Sequence, residues 1–276
     1  VSTAAGNVLV AATDGILIDT LRSGGTTGLS STDGGIVVNA LDADGAISAT
    51  AQTIQIIGQD SLNFTDLTAT GGDASVRTSG NLAVATGTVA GLADLRAGND
   101  LSVDQLSAGN VDLEADQDMV LNNVTTAGSL YAGALGTATI NGTITGPNLI
   151  VASGDINIAS TGRIGQLGTT TSVLVTNIST EDLTFIGGTG TRSGWHLDAD
   201  EITLIYGHDI TVRGERLEFS QGASVGSSRS PDVFVDDFTI NAAQQMGANG
   251  TFLITTAGKM RVNGDVRFTG TTDSQN

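Results

Sequence analysis

This chain of 276 residues has no cysteine, only two prolines, one tryptophan and two tyrosines. Without cysteine there is no disulfide framework and no thiolate metal site. That absence does not fix the compartment, since a large protein exported unfolded through a bacterial envelope also does well without thiols. Basic residues are scarce: 11 Lys and Arg against 29 Asp and Glu give a formal charge of -18. Nucleic acid is therefore not expected as a partner, because phosphate binding needs a basic surface. An acidic surface favours solubility and can attract divalent cations. No run approaches the roughly 20 apolar residues of a membrane helix, so no membrane span is expected in this segment. There is no initiator Met and no signal peptide, and the chain reads as a processed or truncated piece of a longer protein.

What is present is a repeat. Leu92, Val111, Leu130 and Leu149 follow one another at 19-residue steps. An interleaved series, Leu82, Leu101, Met119, Ala138 and Ile156, advances by 18 or 19 residues. Each member of the second series opens a short alternating segment, such as Leu82-Ala-Val84 or Ile156-Asn-Ile158. Repeats of this length point to stacked coils in which each unit buries its apolar face against its neighbours.

Alternation at period 2 dominates elsewhere, and no stretch carries an amphipathic helical pattern over three turns. Val8–Val10, Ile16–Ile18, Ile36–Val38, Ile54–Ile56, Val173–Val175, Ile202–Leu204, Ile210–Val212 and Val233–Val235 read as short strands. Gly, Asn, Asp, Ser and Thr punctuate them, which is turn chemistry. The expected fold is an all-β solenoid with about 19 residues per coil, each coil carrying two clear strands plus turns or a third short strand. At a rung spacing of about 4.8 Å, roughly 14 such coils would span about 65 Å.

Aligning Gly91 with Gly109 places Ala93 over Val111, Asp94 over Asp112, Leu95 over Leu113 and Arg96 over Glu114. The last pair is of opposite charge and contributes about 0.2–1 kcal/mol. The two aspartates repel and are expected to splay into water. Asn122 and Asn141 each follow an inward aliphatic and are expected to stack.

Three regions are expected: regular coils over 1–183, continuing but less regular coils over 184–268, and a tail or linker over 269–276. The second region holds Trp195, Tyr206 and six of the seven Phe (185, 219, 234, 238, 252 and 268). The segments 187–200 and 221–232 interrupt the rhythm there. The stretch Gly187-Gly-Thr-Gly190 lacks the following Lys-Ser/Thr of a phosphate loop.

The 19-residue step, the openings Gly80-Asn-Leu-Ala-Val84, Gly98-Asn-Asp-Leu-Ser-Val103 and Gly109-Asn-Val-Asp-Leu113, and the run Gly154-Asp-Ile-Asn-Ile158 carry a resemblance. They resemble the repeat region of filamentous-haemagglutinin-type exoproteins and related autotransporter passengers. The resemblance implies a right-handed parallel β-helix, extracellular or displayed on a bacterial cell surface, as part of a fibre acting in adhesion or biofilm assembly. From the residues themselves, no catalytic residue and no cofactor is expected.

The densest polar cluster is Trp195-His196-Leu-Asp198-Ala-Asp200-Glu201. Alternation would set His196, Asp198 and Asp200 on one face, with Glu201 at a turn. Asp198, Asp200 and Glu201 are candidate calcium ligands through their carboxylate oxygens, and two such carboxylates are also the minimum for glycoside hydrolysis. An exposed Trp195 is the candidate glycan contact. The expected function is a structural segment of a secreted or surface fibre. It would associate end to end, or with flanking repeats of a longer chain, and host or matrix glycans are candidate partners. The alternatives are a polysaccharide-active enzyme or a carbohydrate- or calcium-binding module on the same fold, and a phage fibre.

Overall fold

The computed structural model describes residues 1–3, 6–166, 168–178, 183–186, 195–198, 200–207, 209–214 and 216–219, and short strands beyond them as far as Phe268. Side chains are described through most of 6–178 and for parts of 195–212. The chain is a parallel β-solenoid, with strands of successive coils pairing in parallel and no α-helix among the described residues. It divides into two compact units, Val1–Gly136 and Thr137–Asn276.

In the first unit, one column of strands runs Ile16–Ile18, Ile36–Ala43, Ile54–Gly58, Ala74–Thr78, then the later parts of Leu82–Ala97 and Leu101–Ala115. A second column runs Val8–Ala12, Thr27–Ser31, Ile47–Ala51, Leu62–Ala69, then the earlier parts of those same two long strands, and Met119–Thr126. One coil thus makes two strand passes. The inward series is almost wholly aliphatic: Ile36, Ile54, Ala74, Ala93, Val111 and Leu130 in the first column, Leu62, Leu82, Leu101 and Met119 in the second, all buried. Alternation works because successive strand residues point to opposite faces, so one side chain in two enters the core.

The rung pairing Ala93↔Val111, Asp94↔Asp112, Leu95↔Leu113, Arg96↔Glu114 agrees with the alignment from sequence. Leu82↔Leu101↔Met119 agrees as well. The first apolar series needs one correction. Leu92 pairs with Asn110 and is 36% exposed, while Ala93 takes the inward place beside Val111. The cause is a register shift between Val89 and Leu92. A one-residue slip moves a side chain to the other face of the sheet.

The Gly-Asn and Gly-Asp doublets have a specific use at the corners. There the backbone leaves the ladder, and an amide of one coil takes its acceptor from a side chain of the previous coil. Thr26 N–H donates to Asn7 Oδ1 at 2.9 Å, Leu92 N–H to Asp73 Oδ1 at 2.7 Å, and Ser129 N–H to Asn110 Oδ1 at 2.9 Å. Asp100 N–H likewise donates to Asn81 Oδ1, and Asp118 N–H to Asp100 Oδ1, both at 3.2 Å. The accepting oxygen sits close under the residue preceding the donor. A Cβ at Gly25, Gly91 or Gly128 would lie 2.4, 2.2 or 2.3 Å from it. At these three corners an Asx side chain in one coil therefore goes with glycine in the next, while Asn99 and Gln117 precede the donors at the two longer contacts.

In the second unit, the strands Asn148–Ile158, Ser172–Asn177, Asp209–Gly214, Asp237–Ala242 and Met260–Asn263 pair successively in parallel. Their register runs Leu149↔Val173↔Ile210↔Phe238↔Met260, so the residues between successive passes vary widely. Leu183–Ile186 pairs with both Trp195–Leu197 and Arg216–Phe219. The expected strand Ile202–Leu204 is instead part of a 3-10 turn, Glu201–Leu204. Most of 187–200, all of 221–232 except the strand Ser224–Gly226, the expected strand Val233–Val235, the side chains of the late Phe residues, His208, and the tail 269–276 lie outside the described residues.

Two expectations test this architecture. Leu113→Asp places a charge at a fully buried rung and should cost about 4 kcal/mol or more, abolishing cooperative melting, whereas Asp112→Ala should cost about 1 kcal/mol or less; equal tolerance would refute the register. Asn110→Ala should cost about 1 kcal/mol by orphaning the Ser129 amide. Gly128→Ala should cost about 1–3 kcal/mol through steric conflict with the same oxygen. The double variant should cost clearly less than the sum, because removing the oxygen removes the conflict; strict additivity in chemical melts would separate the two positions.

Candidate functional site

Two groups of polar side chains stand out, one in each unit. In the first unit, Arg96 lies on the outer face with its guanidinium shared among three carboxylates. Nε donates to Asp94 Oδ1 at 2.8 Å, Nη2 to Asp112 Oδ2 at 3.2 Å, and Nη1 to Glu114 Oε2 at 2.6 Å. Arg77 Nη2 and Ser75 Oγ add 3.0 and 3.2 Å contacts to Asp94 Oδ2. The expected Arg96–Glu114 pair is present. The expected splaying of Asp94 and Asp112 into water is not what the structure shows: Arg96 stands between them, and the Asp94 side chain is only 13% exposed. A planar guanidinium with five N–H donors serves several carboxylates at once, which sequence alignment of like charges does not reveal.

Burial pushes the Asp94 carboxyl upward, but hydrogen bonds and charge from Arg96 and Arg77 outweigh it and leave it below the ordinary 3.8. Tyr131, one rung beyond Asp112, is raised by burial and by the charges of Glu114 and Asp112. Asn122, expected to stack on another asparagine, donates instead to Asp104 Oδ1 of the previous coil at 2.6 Å. These groups hold one coil to the next through Asp94, Asp112, Glu114 and Asp104, although Asp112 Oδ1 itself is buried without a hydrogen-bond partner among the described residues.

In the second unit, the 195–201 cluster is folded inward. Trp195, His196 and Leu197 are all buried, so the strand does not alternate there. Trp195 is 0% exposed, and a ring so placed offers no face to a sugar; it belongs to the core. The backbone N–H of His196 donates to Asp155 Oδ1 at 3.0 Å, 41 residues earlier. This is the same device as the Asx corners of the first unit, with a longer excursion between donor and acceptor. The Gly154-Asp155 doublet carries it.

Asp198 and Glu201 form a closed turn. Asp198 Oδ1 accepts from the N–H groups of Asp200 and Glu201, both at 2.8 Å. Glu201 Oε2 accepts from Asp198 N–H at 2.8 Å, and Oε1 accepts from Ile158 N–H at 2.8 Å across 43 residues. Glu201 is thus a bridge between the strand ending at Ile158 and the turn that starts the 3-10 segment. It is 9% exposed. The three candidate calcium ligands therefore do not converge on an open site: both oxygens of Glu201 and one of Asp198 already hold backbone amides, and Asp200 is exposed beside the turn. Among the described residues no group of three or more His, Cys, Asp or Glu is placed to hold a metal ion. No described helix is long and apolar enough to cross a membrane.

The Glu201 carboxyl is raised to about 7, first by burial and then by the nearby charges of Asp198 and Asp155, against a partial offset from the two amides. Alternation sets Glu201 at a turn and carries no sign that it is buried. The signal that bears on it is Asp198 three residues earlier, which caps the turn and aims Glu201 inward.

A scan against protein-family models finds no match, and searches of curated proteins and of solved structures find none either.

A pH dependence follows. Below 4.5, folded and unfolded chains both carry the Glu201 proton. Between 4.5 and about 7 only the folded chain holds it, so its contribution to stability falls as pH rises through that window and is lost above it. Asp94 works the other way, with stability present above 3.8 and lost as pH falls. Melts of the native chain and of Glu201→Gln, from below 4.5 to above 7, should show a gap that changes only inside that window and favours the Gln variant at its upper end. A gap that does not vary with pH would remove Glu201 as the titrating group. The charged groups that act on it, Asp198 and Asp155, are unchanged in the variant.

Proposed function

We propose that this chain is a non-enzymatic structural segment of a bacterial secreted or surface-displayed fibre or adhesin, acting in adhesion or extracellular assembly. One observation carries the reading. In both polar clusters and at the corners, the side chains that could do chemistry are occupied in joining coil to coil: Arg96 with three carboxylates, Asx oxygens with the next coil's amides, Glu201 with Ile158 and Asp198. Glu201 holds a backbone amide on each oxygen, so it is engaged where acid–base work on a polysaccharide would need it open to substrate.

The resemblance of the Gly-Asn-aliphatic openings to filamentous-haemagglutinin-type repeats supports an extracellular or cell-surface location. On this reading the partners are adjoining coils of a longer chain or another copy end to end, with matrix or host glycans as the ligand class of the assembly. No cofactor is required. The stacked ladder supplies stiffness, and the acidic exterior keeps the assembly soluble.

Electron microscopy of producing cells with a labelled antibody against this segment tests the proposal. Label along surface filaments is the expected result. Label dispersed in the medium without filaments, together with turnover of a polysaccharide by the purified chain, would overturn it.

A further inference from the structure

Of the asparagines whose side chains are described, only Asn141 is followed by glycine. It sits between the strands Ser129–Ile140 and Thr143–Thr145, outside both. Asn141 is exposed and Gly142 half-buried. Other asparagines are engaged: Asn7, Asn81 and Asn110 accept backbone amides, Asn39 and Asn122 donate to Asp19 and Asp104, and Asn148 accepts from Ser172. Each of those is followed by a residue with a side chain, which crowds approach to the following amide nitrogen.

The peptide joining Asn141 to Gly142 has a further property. Its carbonyl oxygen accepts a hydrogen bond from Thr161 Oγ1 at 2.8 Å. A donor on that oxygen stabilises negative charge spread over O, C and N when the Gly142 N–H loses its proton. The next carbonyl, that of Gly142, is held by Arg163 N–H at 2.8 Å. The nitrogen between them is therefore a more acidic amide than one without such a donor, next to an exposed side-chain amide and with no Cβ on the glycine.

We propose that Asn141 is a site of spontaneous deamidation and isomerisation, with Thr161 as its activating neighbour. The deprotonated Gly142 nitrogen attacks Cγ of Asn141, and the Cγ–Nδ2 bond breaks. Ammonia leaves with the Asn nitrogen, giving a five-membered succinimide. Water then opens the ring. Cleavage of the Cγ–N bond gives aspartate; cleavage at the main-chain carbonyl gives the β-linked isomer. The balance is one amide plus water to one carboxylic acid plus ammonia, with no change of oxidation state.

The two products differ in consequence. Asp104 follows inward Val103 as Asn141 follows inward Ile140, so ordinary aspartate suits a position of this kind. The β-linked product adds one carbon to the backbone between Ile140 and Thr143. The pairings Thr143↔Arg163 and Ile144↔Ile164 follow at once, and their register is what the extra carbon disturbs.

The test incubates the native full chain at mildly alkaline pH and follows the peptide bearing Asn141 by mass spectrometry, with fragmentation that separates the two isomers. A parallel sample is unfolded in urea. Expected is conversion at Asn141 in the native chain, loss of that signal in Gly142→Ala, and slower conversion in Thr161→Val when both folded chains show the same circular dichroism. Asn141→Asp should isomerise without release of ammonia. An unmodified native Asn141 over the time in which the unfolded chain converts would overturn the proposal. Should Thr161→Val fail to fold, Thr161→Ser, which keeps the donor, should convert at the native rate; slowing to the level of Gly142→Ala would overturn the role of the hydroxyl.

Discussion

Stacking in parallel imposes one constraint on every coil: each amide must find an acceptor one coil away, including at corners where the ladder is interrupted. Backbone carbonyls meet it along the strands. At the corners, Asn7, Asp73, Asn81, Asp100, Asn110 and Asp155 meet it with a side-chain oxygen. Most of these corner bonds are exposed, so each contributes about 0.5–1.5 kcal/mol net. A fold that repeats the corner many times multiplies that contribution. The period of 18 to 20 residues is thus the spacing at which core aliphatics and corner acceptors both meet their counterparts.

Much of the fold is legible in the sequence for that reason. Inward aliphatics recur at the coil period, and strands alternate at period 2, so Leu82, Leu101 and Met119 can be placed on one another without coordinates. Glycine at 91 and 128 is legible as turn chemistry, but its partners at 73 and 110 are not, because the clash being avoided lies in the previous coil. The 19-residue series puts Leu92 one residue away from the inward place because a register shift leaves no mark on hydropathy: Leu92 and Ala93 are both apolar, and only the pairing decides which faces inward.

The candidate sites were less legible, and the reason is physical. Sequence alternation sorts residues into inward and outward, but it assumes that outward means solvated. Asp94 is an outward residue that Arg96, Arg77 and Ser75 enclose. Trp195 and His196 are adjacent on one strand and both buried, since chain covers both faces of that strand. Ile202–Leu204 alternates like a strand, yet Asp198 accepts two successive N–H groups and turns the chain into a 3-10 segment. Local side-chain capping overrides a three-residue apolar pattern, which carries little weight by itself.

Glu201 shows what such a protein does with a polar residue it cannot leave in water. A carboxylate with 9% exposure would be costly without partners. Two backbone amides, from Ile158 and Asp198, give it partners, and in return it ties the turn to a strand 43 residues earlier. The same exchange occurs at Asp155, whose oxygen holds Ile156 and His196 amides. In the first unit the reach is one coil; in the second it grows with the inserted loop, while the chemistry stays the same. A carboxylate in this position is bound at both oxygens, so a substrate or a cation would have to displace a backbone amide to reach it. That competition, set by the geometry of the corner, is the argument for reading these acids as joints of the stack.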